Sequence, residues 1–163
     1  MVGMTVMGDL IVIGIRISRN FSLLELTKSS TATRLGIDNT PSQEVIDNLE
    51  FLALRILQHV RDHYGRAVTI NSGFRCLDLN RKLGSGDRSQ HVTGNAADME
   101  ISGVDNYELA CWIRDNLEFD QLILEFYTGE PSSGWVHVSL KPLNNRMECL
   151  TVTKQTTRRG LIK

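Results

Sequence analysis

At 163 residues, with 41% hydrophobic and 23% charged side chains, the chain has the composition of one soluble globular domain with room for a proper core. A formal net charge of −1 removes any electrostatic case for a nucleic-acid partner. Cys76, Cys111 and Cys149 are an odd set without CxxC spacing, which points to reduced, partly buried thiols rather than a disulfide framework or a zinc knuckle.

The chain opens with the apolar run LIVIGI at 10–15, too short to span a bilayer. Asp9 precedes it where a secretory signal needs Lys or Arg, and no small-residue cleavage site follows. Residues 1–19 therefore read as a strand-like or loosely ordered extension of a chain made in the cytoplasm without its own export signal. Ser22 is placed to cap one helical turn over the amphipathic NFSLLEL segment, and the polar stretch 27–39 reads as loop. Thr40-Pro41-Ser42-Gln43 then predicts a helix start, with Thr40 as N-cap, Pro41 at the first position and Gln43 completing a capping box. Val45, Leu49, Leu52, Ile56 and Val60 keep helical spacing until Gly65 can end the helix near Tyr64. His59 and His63, four apart near its C-terminus, lack the HExxH pattern and read as cations favoured by the helix dipole.

A short strand over 68–71 leads into Ser72-Gly73-Phe74-Arg75, and an Arg just off a strand end suits bidentate recognition of a carboxylate. A short helix over 76–83, with Asn80 and Leu83 inward, and a flexible Gly84-Ser85-Gly86 loop follow. The next stretch, SQHVTGNAADME, puts His91 at a loop end and Asp98 in a strand over 96–101. A mid-strand carboxylate is poor β material and costly to bury unpaired, a cost that a metal ion would remove. The alternative is a solvated Asp and a surface His. Asp105 and Glu108 mark a helix start for 107–117, with Trp112 as core. Phe119–Tyr127 reads as a strand, with Gln121, Ile123 and Glu125 on one face and Leu122, Leu124 and Phe126 on the other. A Gly/Pro loop at 128–134 returns it antiparallel to SGWVHVSL, where His137 shares a face with Trp135 and Ser139. The remainder, 141–163, is basic and Thr-rich with weak strand character at 148–152. His91, Asp98 and His137 together make an N/N/O set that leaves a coordination position open, as in catalytic zinc sites.

SxHxxGxAxD followed by a W-x-H strand resembles the zinc D-Ala-D-Ala carboxypeptidases and related phage peptidoglycan peptidases, which share the hedgehog/DD-peptidase fold. The likeness runs from about Phe21 to Ser139 and takes in SGFR at 72–75. It implies zinc as cofactor, a peptidoglycan stem peptide as substrate, Arg75 holding a substrate carboxylate or carbonyl, and Ser89 beside it. Many relatives carry the catalytic acid three residues before the second His ligand, where this chain has Gly134. Glu125 is the replacement, because DQLI-x-E followed by W-x-H is similar to a phage branch of the family; Glu130 is second choice and Glu100 third.

The expected protein is a single α+β domain with a small antiparallel sheet carrying the site and helices packed on its other face. Its expected parts are an N-terminal extension (1–19), a zinc peptidase domain (20–153) and a basic C-terminal tail (154–163). The expected activity is zinc-dependent hydrolysis of a stem-peptide bond, of carboxypeptidase or endopeptidase type, by a monomer acting on the bacterial cell wall as a phage lysin or virion-associated enzyme, with no membrane span. The competing expectation is a non-catalytic cell-wall-binding or virion structural protein that keeps the fold.

Overall fold

Leu49, Leu52, Ile56 and Val60 are fully buried at the spacing that the sequence predicts, and they form one side of the core. The structure, a computed structural model, describes residues 14–163; residues 1–13 of the expected extension lie outside the described residues. Within its remainder, Ile17 is buried in the core, and the Leu23 N–H donates to the Ile15 carbonyl at 2.9 Å.

Helix α1 (Leu23–Thr27) is one turn long, closed at its start by a capping box between Ser22 and Glu25. Residues 27–39 are not all loop: α2 (Ser30–Leu35) forms there, capped by Ser29 and ended by Gly36 in the left-handed region. Helix α3 runs from Gln43–Leu52 through a π-helical turn at Ala53–Leu57 into Gln58–Tyr64, and Gly65 ends it at φ 62°. Its N-cap is Ser42 rather than Thr40, because the Thr40 hydroxyl donates to Asp38 Oδ1 at 2.6 Å and Gln43 turns to Asp47. The π turn admits one extra residue, which lets Ala53 and Leu57 join the buried stripe. His63 stacks on Trp112 at 4.2 Å between ring centroids.

Six strands follow in the order β1-β2-β4-β3-β5-β6: β1 (Thr69–Ser72), β2 (Ala96–Glu100), β3 (Gln121–Glu125), β4 (Trp135–Ser139), β5 (Glu148–Val152) and β6 (Thr157–Arg159). Helix α4 (Leu77–Lys82) stands between β1 and β2, and α5 (Asn106–Asn116), capped by Asp105, between β2 and β3. In α4 Asn80 is buried as expected, but Leu83 lies past the helix end and is exposed, and Leu79 takes the inward place. The sheet is antiparallel except at β3–β5, whose parallel pairing and the β6 edge extend it into the basic C-terminal stretch.

Register decides which side chains meet. On the helix-side face Ala97 and Met99, Val138 and Val136, Leu122 and Leu124 pair across β2, β4 and β3, and all six are fully buried. On the opposite face Asp98 pairs with His137 and His137 with Ile123, while Glu125 pairs with Trp135 one step along. Phe126 does not stay with the core face. It takes φ 54°, which ends β3 and turns its ring to 5.1 Å from Trp135, on the site side.

Asp120, buried just before β3, ties three segments together. It accepts from Gln90 Nε2 at 3.0 Å and from Arg146 Nη2 at 2.6 Å, and pairs with Lys141 Nζ at 3.0 Å. Burial pushes its carboxyl up, but the bonds from Arg146 and Lys141 outweigh this and hold it well below the usual carboxylate range. A depressed folded pKa stabilises the fold above the unfolded value of about 3.9 and less as pH falls below it. Asp120→Asn should therefore cost on the order of 2 kcal/mol at neutral pH. In urea titrations that difference should shrink steadily below about pH 4; an equal deficit at pH 3 and pH 7 would refute this account of Asp120.

Candidate metal centre

The strand, the loop and the hairpin bring His91, Asp98 and His137 together, with 2%, 8% and 7% of their surfaces exposed. Asp98 and His137 meet because β2 and β4 pair them directly. His91 arrives from the loop before β2, whose Gly94 has φ 74° and packs against the Val45 carbonyl so closely that a Cβ would sit 2.8 Å from it. Only glycine lets that loop lie flat on α3.

Three atoms able to bind a metal ion converge. His137 Nδ1 lies 2.8 Å from Asp98 Oδ1 and 3.2 Å from His91 Nε2, and His91 Nε2 lies 3.3 Å from the same Asp98 oxygen. The His91 Nδ1–H donates to the Gly73 carbonyl at 2.7 Å, which fixes the tautomer and leaves the Nε2 lone pair facing the other two. Tetrahedral zinc with bonds of about 2.0–2.1 Å requires ligand atoms roughly 3.3–3.4 Å apart. Two of the three separations match, and the third is short because His137 and Asp98 share a hydrogen bond that a metal would replace.

The electrostatics agree with that donor set. Burial pushes the His91 pKa down, so the ring is neutral, as a ligand must be. For Asp98 burial acts upward, but the bond from the His137 Nδ1–H prevails and keeps it ionised. Two imidazoles and one carboxylate fit a divalent ion with a coordination position left open.

The site lies in a cleft whose floor is this sheet face. Arg75, Ser89 and Glu125 line it, as do Phe126 and Trp135. Glu100 and Glu130 do not belong to its lining. Glu125 is half-buried; burial pushes its carboxyl pKa up, the Asp98 charge adds to this, and His137 and Arg75 oppose it. Burial likewise lowers Arg75, against the pull of Asp98 and Glu125. Glu125, Arg75 and the ligand cluster therefore sit in one another's fields.

The hairpin explains why position 134 is not an acid. Gly134 has φ 64°, and a Cβ there would stand 1.9 Å from the Glu125 carbonyl oxygen. Any side chain at 134 collides with the strand that carries Glu125. The sequence reading missed the opposite wall of the cleft, which segment 27–41 supplies together with α2; the only available signal was the Ser29 cap ahead of a short, weakly helical run.

No helix among the described residues is long and apolar enough to cross a membrane. A search of curated proteins found no match. The sequence profile described as Peptidase M15 matches residues 19–139, which contain His91, Asp98 and His137 and, among the cleft residues, Arg75, Ser89, Glu125 and Trp135. With most of its length so matched and its mixed α/β fold built around the same motifs, the chain belongs to the Peptidase M15 family.

Proposed function

We propose that the protein is a zinc-dependent peptidase that cleaves an amide bond in the stem peptides of bacterial peptidoglycan, as a carboxypeptidase or an endopeptidase acting on the cell wall. The observation that carries this reading is the convergence of His91 Nε2, Asp98 Oδ1 and His137 Nδ1 beside a carboxylate, Glu125, on the same sheet face. The cleft, at about 2330 Å³, exceeds the roughly 300–1,000 Å³ typical of small-molecule pockets and suits an extended peptide.

His91, Asp98 and His137 would hold a zinc ion, which would supply Lewis acidity and lower the pKa of a bound water toward neutrality. Glu125 takes the proton that the water loses as its oxygen bonds to the carbonyl carbon. It returns that proton to the amide nitrogen as the C–N bond breaks, giving a carboxylic acid and an amine. Its raised pKa supports this double role, since a base that must also act as acid works best near the operating pH. Arg75 holds a substrate carboxylate or carbonyl through its planar fork, and Ser89 lines the cleft beside the His91 loop.

Glu125→Gln keeps shape and hydrogen bonding but cannot accept the proton, so stem-peptide hydrolysis should fall by a factor on the order of 10²–10⁴ with zinc still bound. Near-native turnover in that variant would remove Glu125 as the base. Arg75→Ala should lower kcat/KM roughly 10- to 100-fold while zinc content stays intact. Lysine should rescue it poorly, because a point charge lacks the fork; unchanged kinetics in Arg75→Ala would make the residue a bystander.

A further inference from the structure

Among the described residues, Arg75 has no side-chain partner to aim it. None of the ion pairs among the described residues includes it, and its Nε is buried without an acceptor. Its direction must therefore come from the backbone that carries it, and that backbone is unusually well tied. The Arg75 N–H donates to the His91 carbonyl at 3.1 Å, and the preceding Phe74 N–H donates to the Leu26 carbonyl at 2.7 Å.

The two backbone groups on either side of Arg75 both go to Asn39. Its Nδ2 donates to the Phe74 carbonyl at 3.2 Å, and its Oδ1 accepts from the Cys76 N–H at 2.7 Å. Nδ2 also donates to the Thr27 carbonyl at 2.8 Å, closing the segment that bears α2. A primary amide is the one side chain that offers two donors and an acceptor in one plane. Aspartate cannot donate to the two carbonyls, and glutamine reaches one methylene too far.

From this geometry we infer that Asn39 is a positioning residue for Arg75, locking the substrate-anchoring turn to the 27–39 wall of the cleft so that the two hold one spacing from the ligand cluster. The inference rests on Arg75 being the substrate anchor of the proposed peptidase. Asn39 itself touches no reacting atom; it acts through the bracket it places around Arg75.

The test is a double-mutant cycle on the zinc-loaded full chain with a stem pentapeptide, together with the Arg75 Nε–H signal in ¹⁵N NMR spectra. Asn39→Ala should lower kcat/KM roughly ten- to hundredfold in the native background. In an Arg75→Ala background it should cost less than about twofold, because the group it positions is gone. The Arg75 Nε–H resonance should move in Asn39→Ala while those of Arg81 and Arg146 stay put. If the alanine variant does not fold, Asn39→Asp, which keeps the bond from the Cys76 N–H, serves the same cycle and spectra. An equal loss in both backgrounds, or an unmoved Arg75 signal, overturns the inference. The spectra need no turnover, so a protein that fails to cleave the peptide would contradict the peptidase reading while still reporting on Asn39.

Discussion

An ionised carboxylate in the middle of a buried strand is the constraint on which this structure turns. Asp98 has only 8% of its surface exposed and is flanked in sequence by the fully buried Ala97 and Met99. A lone charge there would cost several kcal/mol; the two imidazoles that meet it offset part of that, and a divalent ion in the candidate centre would offset the rest. Much of the architecture serves that offset. The β2–β4 register delivers His137, and the flat Gly94 loop delivers His91. The Gly73 carbonyl then sets the tautomer of the His91 ring.

The same contacts that build the ligand cluster also build the cleft around it. His91 holds the Arg75 turn by its ring and its own carbonyl, so the candidate metal centre and the candidate substrate anchor share a support. Gln90, just before His91 in the chain, reaches Asp120, which gathers Lys141 and Arg146 in the cleft lining. On the hairpin side, the tight crossing at Gly134 keeps the 134 position bare and leaves Glu125 as the carboxylate on that wall. Phe126 takes a left-handed conformation there, a strain of the kind that clusters at binding sites.

What the sequence disclosed was the part written in short-range chemistry. His91, Asp98 and His137 stand in motifs of a few residues, and α3 carries its stripe from Val45 to Val60. Capping at Ser22 and Asp105 needs only a side-chain oxygen and the next turn. What escaped depends on partners far along the chain. Helix α2 is six residues of STATRL, too short to announce itself without tertiary support. The cap moved to Ser42 because Asp38 claims the Thr40 hydroxyl. The parallel pairing of β5 with β3 leaves no local signature. Phe126 left the core face because alternation stops where a strand stops, and the hairpin crossing decides where that is.

The central claim is that His91, Asp98 and His137 form one metal centre. Calorimetric titration of metal-free protein with zinc at neutral pH, on the native chain and on Asp98→Asn, tests it most directly. One zinc should bind per chain, with an affinity reduced in Asp98→Asn by more than about 100-fold, beyond what loss of a mere supporting partner costs. No saturable binding to the native chain, or equal affinity in the two proteins, would contradict it.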